Sequence, residues 1–163
     1  MHTMQQLLLM LVIVLGACSP KTSPKKSENL CQNNIKQGIK GQVFWREGNW
    51  RPSKDKNNRP QEQAVVRNIC IYQLTKESQT TKNGKFYENP TTKMLTQIST
   101  DTNGCFSVEL PQGEYSVFVE EEFEGKKMLY ANSFDNEMNL NKVVVRENKI
   151  TETKIIIDYK AKY

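Results

Sequence analysis

Cys18 is the residue whose surroundings most clearly predict a chemical reaction. It closes the sequence Leu15-Gly16-Ala17-Cys18 at the end of an apolar run. That run is too short to span a bilayer, but it has the length of the apolar region of a signal peptide. Small residues let a peptidase approach the extended backbone, and the Cys18 thiol is a nucleophile that can accept lipid. We therefore predict a signal peptide over 1–17 and a lipid-bearing Cys18.

The sequence before Cys18 resembles the lipobox of bacterial lipoproteins, although no Lys or Arg precedes the apolar run. Each buried methylene of an acyl chain contributes about 0.8 kcal/mol, so two or more chains would hold the protein on a membrane. Residues 18–34 are polar and rich in Lys and Ser, which predicts a lipidated cysteine followed by a flexible tether. Residues 35–163 are predicted to form one domain.

Histidine chemistry is excluded from the predicted mature chain, because the single histidine is His2 in the predicted signal peptide. Without an imidazole there is no Ser-His-Asp or Cys-His arrangement and no His-ligated catalytic zinc. A Ser-Lys dyad or a carboxylate pair stays open, but no motif places one in a recognisable setting. We predict no catalytic residues, no cofactor and a non-enzymatic function.

Three cysteines, Cys31, Cys70 and Cys105, follow the lipidation site and show no Cys-x-x-Cys spacing. That spacing would have indicated a redox or zinc site. Outside the cytoplasm, where thiols oxidise, three cysteines predict one disulfide and one remaining thiol.

Asn49, Trp50 and Arg51 are the candidate ligand-binding residues. An aromatic face beside an amide can stack on a sugar ring or a peptide. The alternative is that Trp50 only caps one end of the domain. Trp45 keeps the parity of Val43 along a predicted strand, which predicts a core position for it.

An oxygen-rich loop contains Asn132, Asp135 and Glu137, which could coordinate Ca²⁺. Their spacing fits no known loop signature, and ordinary turn chemistry explains them as well. Asp101 and Asn103 invite the same two interpretations. We predict no metal, with the first three residues as the weak alternative.

The formal net charge of +5 is spread along the chain, and acidic clusters such as Glu120-Glu121-Glu122 interrupt the basic residues. No basic run interleaves with aromatic residues. We therefore predict no nucleic-acid partner.

The domain reads as short alternating segments separated by Gly, Pro, Asn and Asp, with no sustained helical period. The segment 65–74 has apolar residues on both faces and is expected to lie centrally in a sheet. Asn83-Gly84 is a hairpin signal, and 101–104 and 111–113 are turn sequences. The pattern predicts an all-β antiparallel sandwich of seven to eight strands. The predicted strands are 39–46, 65–74, 93–100, 105–110, a segment through 115–119, 128–131, 142–146 and 150–159.

The turn sequences also resemble a known family. Gly41-Gln42-Val43, the segment 100–108 (Thr-Asp-Thr-Asn-Gly-Cys-Phe-Ser-Val) and the segment 110–117 (Leu-Pro-Gln-Gly-Glu-Tyr-Ser-Val) are similar to motifs of the carboxypeptidase regulatory-like domain. The resemblance covers roughly 38–120. It implies a transthyretin-like (prealbumin-like) sandwich of the kind found in small lipoproteins of Bacteroidetes-type bacteria. It implies a fold and residence in the envelope, but no reaction.

The resemblance also bears on the cysteines. Its strand order places the strand of Cys105 beside the first strand, and Cys70 in the opposite sheet. Linked cysteines need Cα atoms within about 7 Å, which a Cys70–Cys105 pair would not reach. The resemblance therefore implies Cys31–Cys105 as the possible disulfide.

The expected function is that of a non-catalytic envelope lipoprotein whose sandwich binds or scaffolds another component. Its expected partners are the membrane, through the lipid anchor, and an envelope protein or glycan. Ser19 after the lipidated cysteine, with no acidic run, predicts the outer membrane and a domain facing the periplasm. The alternative function is carbohydrate binding through loop aromatics such as Trp50.

Overall fold

The structure is a computed structural model that describes residues 31, 34–52 and 60–163. The predicted signal peptide, Cys18 and most of the tether lie outside these residues. The described chain forms eleven strands and one turn of 3-10 helix, Glu77–Gln79. The strands are β1 Gly38–Asn49, β2 Gln63–Ala64, β3 Asn68–Gln73, β4 Thr81–Asn83, β5 Phe86–Glu88, β6 Met94–Ser99, β7 Cys105–Glu109, β8 Gly113–Phe123, β9 Lys126–Tyr130, β10 Lys142–Val145 and β11 Ile150–Lys162.

These strands form two sheets, which confirms the all-β sandwich. The smaller sheet has the order β11-β1-β2, with β7 also paired to β1. The larger sheet has the order β4-β5-β9-β8-β3-β6, with β10 also paired to β8. Eight strands correspond to the predicted ones, and the three others, β2, β4 and β5, have only two or three residues each.

One strand pair departs from the predicted antiparallel arrangement. β1 and β11 run parallel, from Gly38 beside Ile150 to Asn49 beside Lys162. β10 lies in one sheet and β11 in the other, so the chain crosses between sheets and enters β11 at the end where β1 begins. A parallel pair is possible here because its strands are far apart in sequence and need no hairpin.

The main core lies between the two sheets. Ile39 and Val43 of β1 are fully buried there, facing Ile69 and Ile71 of β3. Tyr115, Val117 and Val119 of β8 also point inward and belong to this core. Trp45 is only partly buried but packs against the same core, with its ring edge-to-face on Tyr159.

A second, smaller core covers the outer face of the larger sheet. Cys70 of β3 and Phe118 of β8 point to this side and pack with Leu140, which belongs to the loop before β10. β3 therefore has apolar neighbours on both faces. It also lies between β8 and β6, which confirms its predicted central position.

Two predicted turns have clear steric causes. Oδ1 of Asp101 accepts hydrogen bonds from the backbone N–H groups of Asn103 and Cys105, at 2.9 and 2.8 Å. This Asx turn fixes the start of β7. The Tyr115 hydroxyl donates a 2.8 Å bond back to the Pro111 carbonyl. Because β7 and β8 belong to different sheets, this second turn is an arch that connects the two sheets.

Candidate functional site

An open cleft of about 390 Å³ lies at the end of the sandwich where β1 and β11 finish. We call it the aromatic cleft. Phe86 enters it from β5, just after the turn Asn83-Gly84, and Phe123 enters from the end of β8. Tyr159 and Tyr163 come from the end of the chain. The site is thus assembled from both sheets.

The floor of the aromatic cleft is a set of packed rings. Phe86 and Phe123 stack with their centroids 4.1 Å apart and their planes 18° apart. Tyr159 meets Phe86 edge-on at 4.9 Å and also contacts Trp45 at 5.1 Å. Phe86 is only 3% exposed. Offset and edge-to-face contacts of this kind hold aromatic side chains in fixed positions, so the floor is apolar and rigid.

The rim of the cleft is organised by the Asp158 carboxylate. It accepts hydrogen bonds from Lys85 Nζ at 2.6 Å, from the Tyr130 hydroxyl at 2.7 Å and from the Tyr163 hydroxyl at 2.8 Å. Tyr163 is 58% exposed. A cation, a carboxylate and an accessible ring therefore stand together above the apolar floor.

The protonation states of the rim follow from these contacts. Burial opposes ionisation of Asp158, but the bonds from Lys85, Tyr130 and Tyr163 outweigh it and hold the pKa of the carboxyl below its ordinary value. Burial, together with the charge of Glu121, raises the pKa of Tyr159 to about 12. At neutral pH the rim offers a carboxylate acceptor, while Tyr159 stays a neutral phenol.

The predicted ligand residues lie beside the cleft and do not line it. Trp50 donates its indole N–H to the Glu47 carbonyl at 2.9 Å, and its ring covers the Arg46 guanidinium at 4.3 Å. Its backbone N–H also bonds to the Lys162 carbonyl. These contacts agree with the interpretation of Trp50 as a cap on the end of the sandwich.

Asn49 and Arg51 are likewise used within the protein. Oδ1 of Asn49 accepts a bond from the backbone N–H of Arg51 at 3.2 Å. Nε of Arg51 donates to the backbone carbonyl of Tyr163 at 3.3 Å. The three predicted residues therefore lie at the same end of the domain as the aromatic cleft, where Tyr163 is an exposed ring.

The oxygen-rich loop shows turn chemistry. Both carboxylate oxygens of Asp135 accept hydrogen bonds from within the loop: Oδ1 from the backbone N–H groups of Glu137 and Asn139, and Oδ2 from the Asn139 amide. Nδ2 of Asn132 bonds to the Ile156 carbonyl on β11. In the part of the chain that the structure describes, no group of three or more His, Cys, Asp or Glu is arranged to hold a metal ion.

The cysteines are placed as the resemblance implied. Cys31 and Cys105 form a disulfide with their Cα atoms 5.4 Å apart. β7, which carries Cys105, pairs with β1 in the smaller sheet, whereas Cys70 lies in the larger sheet as a buried free thiol. Burial and the charge of Glu120 raise the pKa of Cys70 to about 11.

Comparison with known proteins identifies no relative: no family model, no curated protein and no solved structure matches this chain. The transthyretin-like topology and the family therefore stay predictions. The described residues include no helix with the length and apolarity needed to cross a membrane.

Sequence reasoning missed the residues that line the aromatic cleft. Phe86 and Phe123 are far apart in sequence, and only the pairing of β5, β9 and β8 brings them together. The turns of the two hairpins gave no local signal for this contact, because Phe86 pairs with Tyr130 at the end of β9, whereas Phe123 pairs with Lys126 at its start.

Proposed function

We propose that the protein is a non-catalytic cell-envelope module, held to the membrane by lipid on Cys18, that binds another envelope component through the aromatic cleft. The observation that carries this proposal is the accessible Tyr163 ring beside the Asp158 carboxylate, above the stacked floor of Phe86 and Phe123. An apolar cleft with a few converging polar groups is the usual form of a ligand-binding site.

The geometry of the cleft favours binding. A partner that covers Tyr163 gains apolar contact with a ring whose hydroxyl is already oriented by Asp158 and Arg46. Little side-chain freedom is lost on binding, because the floor is packed and the rim is hydrogen-bonded. Tyrosine is common at binding hot spots for this reason.

The anchor is proposed from the sequence around Cys18, and the disulfide indicates where the predicted tether would meet the domain. Cys31 is bonded to Cys105, so the predicted tether reaches the folded domain at β7. The stretch from Cys18 to Cys31, fully extended, reaches no more than about 45 Å. The domain would therefore work close to the membrane, which we propose to be the outer membrane with the domain facing the periplasm.

A carbohydrate is the second candidate ligand, and one observation favours it. The Tyr163 ring offers a flat face for the apolar side of a sugar, while Asp158 and Lys85 lie close enough to bond its hydroxyl groups. This moves the predicted sugar contact from Trp50, whose indole N–H is already bonded, to Tyr163.

Tyr163→Ala tests both candidates, with Phe134→Ala as the matched control, because Phe134 is also an exposed ring but lies outside the cleft. The full-length protein in detergent is applied to a glycan array, and intact cells are crosslinked and analysed by mass spectrometry. Glycan signal lost only in Tyr163→Ala identifies a carbohydrate ligand. Protein crosslinks lost only in that variant identify a protein partner. If Tyr163→Ala changes neither readout, the aromatic cleft is not the binding site.

A further inference from the structure

β6 forms one edge of the larger sheet, and β3 is its neighbour on the paired side. Its sequence, Met-Leu-Thr-Gln-Ile-Ser, contains no charged residue and no proline, in a chain that is one-quarter charged. Exposed sheet edges normally carry charges, prolines or covering segments, because their free backbone groups can pair with another strand. The irregular pairing near Met94 is confined to the first part of β6, so Thr96–Ser99 is a regular free edge.

Three other edge strands of the described sandwich, β4, β11 and β7, carry some protection. β4 has three residues and carries Lys82. The backbone of β11 is covered where the Tyr130 hydroxyl and the Asn132 amide bond to the Ile156 carbonyl. β7 carries the disulfide to Cys31 at its first residue. Within residues 34–52 and 60–163, no strand pairs with the outer side of β6.

The hydrogen-bond phase of β6 shows which backbone groups are free. Thr100 donates its N–H to the Arg67 carbonyl, and the register continues with Ile98 opposite Ile69. In an antiparallel pair, the backbone N–H and C=O groups of every second residue bond to the partner strand. The backbone groups of the residues between them point away from the partner. The N–H and C=O groups of Gln97 and Ser99 therefore face outward.

We propose that this edge pairs antiparallel with β6 of a second copy of the chain, which joins the two larger sheets across a two-fold axis. With Ile98 on the axis, Gln97 of each copy lies opposite Ser99 of the other and exchanges both backbone bonds with it. The pairing uses only the regular part of β6. A two-fold interface of this kind is self-complementary by construction.

The lack of charge on β6 accommodates a second copy as the occupant. Two chains of formal charge +5 repel each other, and β6 is a strand along which they can meet with no like charges opposite one another. Exposed apolar side chains lie at both ends of the edge: Met94 and Leu95 at its start, and Val66 beside its end. An interface on β6 would cover part of this surface, which a monomer leaves in water.

Gln97→Lys tests the proposal, with Thr81→Lys on β4, the opposite edge of the same sheet, as the matched control. The mass of the full-length protein in detergent is measured by light scattering coupled to gel filtration. We expect a dimer for the wild type and for Thr81→Lys, and a monomer for Gln97→Lys. A wild-type monomer at all accessible concentrations, or a Gln97→Lys dimer, overturns the proposal.

A crosslinking variant tests the register. In the chain carrying both Gln97→Cys and Ser99→Cys, each new thiol faces one from the other copy, within reach of a disulfide. Mild oxidation should give a covalent dimer, whereas Thr81→Cys with Asn83→Cys on β4 should give none. No covalent dimer from the β6 variant, or capture of a different protein in its place, contradicts self-pairing.

Discussion

The Tyr163 hydroxyl donates a 2.8 Å hydrogen bond to the Asp158 carboxylate. This bond links the accessible ring of the aromatic cleft to a side chain that connects the two sheets. The same carboxylate accepts bonds from Lys85, in the turn between β4 and β5, and from Tyr130 at the end of β9. Asp158 itself belongs to β11 in the other sheet. One side chain therefore orients the exposed ring of Tyr163 and ties the two sheets together.

Asp158→Asn should flatten the acid dependence of stability. The pKa of the Asp158 carboxyl is lower in the folded protein than its ordinary value of 3.8. The stability that the ionised Asp158 contributes is therefore fully present when the pH is above the ordinary pKa. This stability is lost as the pH falls through the lower pKa of the folded protein. Between neutral pH and about pH 3, the melting temperature should fall more for the wild type than for Asp158→Asn.

Circular dichroism at the two pH values makes this measurement. Glu109→Gln serves as the control, because Glu109 is exposed on β7. Its acid dependence should match that of the wild type. Equal losses in the wild type and in Asp158→Asn would show that the Asp158 network does not stabilise the fold.

Cys31→Ser should destabilise the domain. The Cys31–Cys105 disulfide links positions 74 residues apart, so it removes much of the freedom of the unfolded chain. Loss of such a bond costs about 2–5 kcal/mol. Urea unfolding should show this loss, and a reductant should weaken the wild type and Cys70→Ala but leave Cys31→Ser unchanged. A reductant effect that persists in Cys31→Ser would mean that another bond is being broken.

Gly104→Ala should cost much more than Gly84→Ala. Both glycines have positive φ, so each substitution carries a backbone penalty of about 1–2 kcal/mol. A Cβ on Gly84 meets open space, but one on Gly104 would lie 2.4 Å from the Val43 carbonyl oxygen. The close contact should lower the free energy of unfolding of Gly104→Ala, measured in urea, by a further amount of about 1–3 kcal/mol. Equal costs for the two variants would argue against the close approach of β7 to β1.

Cys70 should resist alkylation in the folded protein. It is 3% exposed, and its pKa of about 11 leaves little thiolate at neutral pH. Thiolate is the reactive form, so iodoacetamide should label Cys70 only when the chain unfolds. Mass spectrometry of the native and urea-treated protein measures this directly. Rapid labelling of the native protein would show that the outer core around Phe118 opens readily.

Local patterns were sufficient for much of the fold. β3 was correctly predicted to be central, because alternation with apolar residues on both faces is a property of the strand itself. The Asx turn at Asp101 was equally accessible, since its donors lie within the same short segment. β4 and β5 were missed because each has three residues, and they depend on pairing such as that of Phe86 with Tyr130.

Long-range relationships could not be derived from local sequence. Nothing near Gly38 indicates that β1 runs parallel to β11, more than a hundred residues later. The aromatic cleft depends on the same assembly, because Tyr163, at the end of β11, meets Arg46 of β1 only when the two strands lie side by side. The predicted ligand residues Asn49, Trp50 and Arg51 lie at this same end of the domain, and Tyr163, the exposed ring there, was not among them.

A photo-crosslinking amino acid at Tyr163, introduced in intact cells, tests the central claim most directly. The same probe at Glu147, in the turn between β10 and β11 at the opposite end of the sandwich, is the control. A membrane-anchored module that binds through the aromatic cleft should give a discrete adduct with an envelope component from Tyr163 and none from Glu147. The same adducts from both positions, or none from Tyr163, would contradict the account.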